Sequence, residues 1–300
     1  MAAAALVVDA HLHVWASADE AATDYPYEKG REPPEALKAD TAHLIRLMDA
    51  TSVDKAVIVQ PINHLYDHSY VREAVRAHPT RFVGMALANP TLSPGAARQE
   101  LTRLVRQEGF RGARFNPYLW PTNEEGLASM NDETGRALFE VCGELGVPVG
   151  FMVFQGLLHR LGGEPAPTHL EDISALMEQF PNTTVVLDHF AFTHKRTQPE
   201  AWAGLLDLCA NNDNVYVKLS APFRVSKEGA PPYSDLYPAQ VFDLLRVCGP
   251  DRLMIGSDFP FVQDESGGYK THMSSALLKD LSDADKARIM GGTAQQLFFG

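Results

Sequence analysis

No lysine- or arginine-rich run occurs in this 300-residue chain, and its formal net charge is −12. That shortage argues against a nucleic-acid surface or an anionic membrane as the main partner. It leaves a small-molecule substrate, gripped by a few local arginines. No apolar run approaches the ~20 residues of a membrane span. Cysteine is scarce: Cys142, Cys209 and Cys248 are odd in number, and each lies in a helix-like apolar pattern. They read as buried thiols of a reducing compartment rather than a disulfide frame or a zinc cluster. No positively charged segment precedes the first strand, so no signal peptide is expected. A cytoplasmic location is expected, with an organelle open if a transit peptide was removed. Also lacking is the Gly-rich phosphate turn that a doubly wound sheet carries after its first strand. Nothing points to a nucleotide cofactor, and the oligomeric state is left open.

What the chain does have is apolar residues, 45% against 21% charged, enough for a large core. Short continuous apolar runs begin near residues 6, 55, 82, 112, 149, 185, 215 and 253, and amphipathic helical patterns separate them. Continuous rather than alternating runs suit parallel strands covered on both faces. Eight of them alternating with helices predict an α/β fold, a single (β/α)8 TIM barrel over 1–300. Connections from helix to strand are short, as at Thr51-Ser52, Gly109 and Gly146. Connections from strand to helix are long: 16–39, 116–132, 155–167, 221–237 and 259–272. Long loops on one face place the site at the C-terminal ends of the strands. Strand five is expected over Val149–Phe154, and Thr168 with Glu171 forms a capping-box pattern for the next helix.

The strand ends carry the chemistry. The first segment, VVDAHLHVW (Val7–Trp15), delivers Asp9, His11 and His13 in alternation, so all three are expected on one face. Strand two ends in Gln60, with His64 and His68 beyond it in a loop where surface positions are expected. Strand four offers Arg114 and Asn116, strand six Asp188-His189, strand seven Lys218, Ser220 and then Arg224, and strand eight Ser257-Asp258. In a closed barrel these converge on one mouth. Asp258 beside His11 and His13 suits either a general base for water or a metal ligand. His189 suits a third ligand or a group that polarises a carbonyl. Arg114 and Arg224 suit an anionic substrate group, or else ion pairs with neighbouring carboxylates. Lys218 either points inward or pairs with Asp188. Gln60, Asn116 and Ser220 complete the candidate substrate-binding set. Trp15, Tyr118 and Trp120 lie on strand-end loops, where they line the pocket or cover the rim.

Taken together, VVDAHLHVW, GARF, LDHF, VKLSAPFR and LMIGSDFPF resemble the amidohydrolase superfamily. The resemblance is to the branch of 2-pyrone-4,6-dicarboxylate lactonases and sugar-acid lactonases, and it covers nearly the whole chain. It implies a distorted barrel and hydrolysis of an ester or lactone by activated water. His11 and His13 take the strand-one position, His189 the strand-six position and Asp258 the strand-eight position. Metal-dependent relatives usually add a histidine ending strand five and a carboxylated Lys or Glu ending strand four. Here strand five has no histidine and strand four ends in Arg114-Phe-Asn116, so a binuclear site is not expected. The resemblance implies either no cofactor, with the three histidines polarising the lactone carbonyl and Asp258 deprotonating water, or one divalent ion (zinc or manganese) on His11, His13 and Asp258.

Three functions follow as expectations. The first is a hydrolase opening a lactone or ester of a small carboxylated substrate. The second is a metal-dependent non-oxidative decarboxylase of the same superfamily. The third is a barrel without catalysis that serves as a binding protein.

Overall fold

The eight apolar runs become eight parallel strands in the computed structural model, which describes residues 5–122, 129–153, 169–264 and 267–300. They are β1 (Val8–Leu12), β2 (Lys55–Val59), β3 (Phe82–Leu87), β4 (Phe110–Phe115), β5 (Val149–Phe151), β6 (Val185–Leu187), β7 (Val215–Ser220) and β8 (Leu253–Gly256). Each pairs with the next in chain order. One main helix lies in each crossover: α1 (Thr41–Thr51), α2 (Ser69–Ala77), α3 (Pro94–Glu108), α4 (Glu133–Leu145), α5 (Leu170–Gln179), α6 (Pro199–Asn211) and α7 (Ala239–Cys248). The seam between β8 and β1 is sewn just past β8 itself. There the Asp258 N–H donates to the His11 carbonyl at 2.8 Å and the His13 N–H to the Phe259 carbonyl at 2.7 Å. This is the expected (β/α)8 barrel.

Strand residues alternate between two apolar clusters, as a two-residue period requires. Val8, Ala10, Val57, Val59, Met85 and Met254 fill the barrel interior. Ala56, Ile58, Phe82, Leu187 and Ile255 pack outward against the helices. Ala294 and Phe298 of the C-terminal helical stretch join the inner cluster near the strand starts, where Lys55 donates to Gln295 at 2.8 Å. Local chemistry sets the helix ends. Asp40 caps α1 by accepting the His43 N–H, and Asp132 caps α4 by accepting the Gly135 N–H. Gly109 and Gly146 stop α3 and α4 with φ of 81° and 67°, a conformation that favours glycine. Among the described residues, no helix is long and apolar enough to cross a membrane.

Several sequence expectations change. The stretch 16–39 is not wholly a loop: Ser17 and Glu20 form a reciprocal capping box around the helical turn Ala18–Ala21. Strand five is shorter, Val149–Phe151, and Phe154 lies outside the described residues. So do the loop 155–167 and Thr168 of the expected capping box. Asp9 does not share its side with His11 and His13. A register shift between Asp9 and Leu12 breaks the alternation, and the Asp9 carboxylate instead accepts from the Ser257 N–H at 2.9 Å and the Ser257 hydroxyl at 2.5 Å. Burial pushes this carboxyl up to about 6, against the bonds from Ser257 and the His11 N–H.

His64 and His68 are buried rather than exposed. Each ring accepts a backbone N–H that would otherwise be orphaned: His64 Nε2 from Ala16 at 3.2 Å, and His68 Nε2 from Leu87 at 3.0 Å. Burial lowers His68 from 6.5 to about 4. The unfolded chain therefore binds this proton more readily, so the contribution is whole above pH 6.5 and is lost as pH falls toward 4. The shift corresponds to about 3 kcal/mol. Urea unfolding at pH 7 and pH 4.5 should show a smaller acid-induced loss in His68→Gln than in the wild type. Equal losses would remove His68 from the explanation.

Candidate active site

Asp258, directly after β8 and Ser257, sits at the centre. It adopts φ of 60°, a left-handed conformation that Asp tolerates better than most residues. Its Oδ1 is ringed by three imidazole nitrogens: His13 Nε2 at 3.6 Å, His11 Nε2 at 3.7 Å and His189 Nε2 at 3.8 Å. Its Oδ2 accepts from Arg224 Nε at 2.6 Å. Backbone strain gathers around it. His189 to Phe192, following β6, hold four successive φ values between 51° and 54°, and Ala221 after β7 has φ of 45°. Such conformations in non-glycine residues cost about 1–3 kcal/mol each and gather at functional sites.

Each histidine is held from behind. His13 Nδ1 donates to the Val59 carbonyl at 2.8 Å, and His189 Nδ1 meets Ser220 Oγ at 2.8 Å. His11 Nδ1 lies 3.0 Å from Asp188 Oδ1. Asp188 also binds Lys218 Nζ at 3.0 Å and, through Oδ2, Arg114 Nε at 3.0 Å. Burial alone would raise Asp188, but His11, Lys218 and Arg114 hold it well below the carboxylate range. Burial would likewise raise Asp258; His189 and Arg224, with the His13 hydrogen bond and His11, hold it well below instead. Burial keeps His11 far below its ordinary value and lowers His189 to about 4. Both carboxylates are thus ionised near pH 7.

Above this floor opens a cavity of about 330 Å³. His13, Arg114, Asn116, His189, Arg224 and Asp258 provide its polar wall, and Trp15, Ile62, Met152, Phe192 and Phe261 its apolar wall. The Arg224 guanidinium lies 4.7 Å from the Phe261 ring centre. Both arginines combine the two expectations, pairing with a carboxylate through Nε while bordering the cavity. Among the described residues, no hydrogen bond engages their terminal nitrogens.

Three expected substrate contacts lie elsewhere. Lys218 is fully buried behind His11 and paired with Asp188, so it does not border the cavity. Ser220 is also fully buried and is occupied by His189. Gln60 donates to the carbonyls of Leu65 and Asp67, which fixes the loop after β2. In each case the residue stands at or near a strand's end, but its depth puts it behind the wall. Trp120 packs on Phe115 at 4.8 Å and leaves the lining to Trp15 and Tyr118. Asp188 pairs with Lys218, one of the two alternatives the sequence left open, but its bonds to His11 and Arg114 carry no sequence signal beyond its place before the strand-six histidine. Met152, Phe192 and Phe261 carry no recognisable pattern.

The donors at these strand ends fit a divalent ion chemically. His11, His189 and Asp258 each present one ligand atom, all within 4.8 Å of one another, and His11 Nε2 is buried with no hydrogen-bond partner. Two imidazoles and a carboxylate suit zinc or manganese. His189 thus replaces His13 in the compact trio, while His13 Nε2 stands beside it, 3.6 Å from Asp258.

The profile of the family described as Amidohydrolase matches residues 8–300. Two curated relatives are similar over most of the chain. The 4-sulfomuconolactone hydrolase of Rhizobium radiobacter is 28% identical over 263 residues, covering 84% of this chain and 75% of the relative. The gamma-resorcylate decarboxylase of Polaromonas sp. is 26% identical, covering 77% and 74%. Among solved structures, a probable 2-pyrone-4,6-dicarboxylic acid hydrolase from Acinetobacter baumannii, with citric acid bound, superposes with a TM-score of 0.72. It shares 20% identity, and the match covers 98% of this chain and 99% of that one.

Proposed function

Because this chain belongs to the amidohydrolase family of enzymes, we propose that it is a hydrolase opening a lactone or ester of a small carboxylated substrate. The observation that carries the reading is the Asp258 carboxylate, with one oxygen ringed by three imidazoles and the other tied to Arg224, at the floor of a cavity bordered by two arginines. The terminal nitrogens of Arg114 and Arg224 grip substrate carboxylate. Asp258 takes a proton from water as the water oxygen attacks the carbonyl carbon. His189, which borders the cavity, stabilises the oxyanion that forms, and His11 stands behind it beside Asp258. Collapse of that intermediate breaks the C–O bond of the ring, and Asp258 returns its proton to the leaving oxygen. His13, whose Nδ1 hydrogen is spent on Val59, meets the site through Nε2, 3.6 Å from Asp258. A divalent ion bound by His11, His189 and Asp258 would supply further polarisation of the carbonyl.

The relationship to a decarboxylase favours a second reading, in which the donor trio serves metal-dependent loss of CO₂ from an aromatic acid. One experiment separates the two. Carboxylated lactones and hydroxybenzoates are offered to the protein before and after chelation, and ring opening and CO₂ release are both followed. Lactone opening that survives chelation is expected. CO₂ release restored only by zinc or manganese, with no lactone opened, would replace the first reading by the second.

A further inference from the structure

Lys218 is an ammonium inside an otherwise apolar stretch of strand, fully buried and out of reach of the cavity. Its Nζ lies 3.0 Å from Asp188 Oδ1 and 3.2 Å from His11 Nδ1. His11 Nδ1 therefore has two neighbours of opposite kind, an acceptor in Asp188 and a donor in Lys218. In a neutral imidazole one nitrogen carries the hydrogen and the other accepts. We infer that Lys218 is a positioning residue: it donates to His11 Nδ1, so that the ring's hydrogen sits on Nε2 and points into the site.

Three observations favour this tautomer. Asp188 is already supplied with two cationic donors, Lys218 on Oδ1 and Arg114 on Oδ2. An ammonium has three hydrogens and accepts nothing. A bare Nδ1 lies 3.0 Å from Asp188 Oδ1, two acceptors that the Lys218 ammonium, near both, bridges; a hydrogen on Nδ1 would instead set two donors against each other at 3.2 Å and strip Lys218 of one of its two partners among the described residues. At the far side of the ring, Nε2 faces the Asp258 carboxylate at 3.7 Å and has no other partner. A hydrogen there meets negative charge favourably, whereas a lone pair would oppose it.

His13 differs: its Nδ1 faces the Val59 carbonyl, which only accepts, so its hydrogen on Nδ1 is fixed. The tautomer of His11 does not depend on the hydrolytic reading above.

The test is ¹⁵N NMR of protein labelled at histidine, with the His11 signals identified by their absence in His11→Asn. In the wild type the proton-bearing nitrogen of His11 should be Nε2. In Lys218→Met it should move to Nδ1, now facing only Asp188, while Lys218→Arg, which keeps a charged donor, should retain it on Nε2. A wild-type His11 protonated at Nδ1, or one nitrogen protonated in both wild type and Lys218→Met, would overturn the inference. The wild-type spectrum alone decides the matter if the variants fail to fold. No substrate is used, so failure of the proposed reaction leaves this result standing.

Discussion

Replacing Asp258 by Asn should lower turnover by at least about 10²–10⁴-fold on whichever lactone or ester the wild type opens, the usual contribution of a positioned general base. Asn keeps the shape and tolerates the left-handed backbone of this position, where φ is 60°, better than Ala would. An amide cannot take the proton of water, so the loss falls on kcat. KM should change less, because Arg114 still borders the cavity and Arg224 is freed from its pairing with Oδ2. Steady-state kinetics with a circular-dichroism check of folding reads the outcome. An Asp258→Asn variant that turns over at the wild-type rate would eliminate Asp258 as the base, whatever the substrate.

The second large effect concerns stability. Asp188 is the common partner of His11, Lys218 and Arg114, and all four are buried. In Asp188→Asn two cations keep their places and lose their anion. Removing one partner from a buried charge cluster typically costs about 3–5 kcal/mol, a large share of a domain's total stability. Urea unfolding measures it. Adding Lys218→Met to Asp188→Asn removes one of the two orphaned cations and should recover part of the loss, giving a non-additive double-mutant cycle. A loss below about 1 kcal/mol, additive with that of Lys218→Met, would mean the cluster is solvated and the network carries little energy.

The barrel was legible in the sequence because its signal is coarse. Parallel strands covered on both faces read as continuous apolar runs, and the five long loops all follow strand ends. Legibility ended where depth and register decide. The ends of β1, β4, β6 and β8 announced His11, His13, Arg114, His189 and Asp258, and these do converge. The same reasoning expects Ser220 and Gln60 on the cavity wall and leaves Lys218 open between the interior and Asp188, since a position at a strand end says nothing of how far behind the wall a side chain is tethered. Asp9 was misplaced by a register shift that no pattern of residues announces. His64 and His68 looked like loop histidines because accepting one backbone N–H leaves no periodic trace. The aromatic side of the cavity, Phe192 and Phe261, depends on how the strained turn after β6 and the loop after β8 fold back.

The β8–β1 seam has a consequence for biosynthesis. The histidines of the first strand leave the ribosome long before Asp258 and the two backbone bonds that join Asp258 and Phe259 to His11 and His13. Until then the nascent sheet has two open edges, each able to pair with a neighbouring polypeptide. Closing the cylinder and completing the reactive cavity are one event, so a ribosome-stalled product ending before residue 258 should be both inert and prone to aggregation.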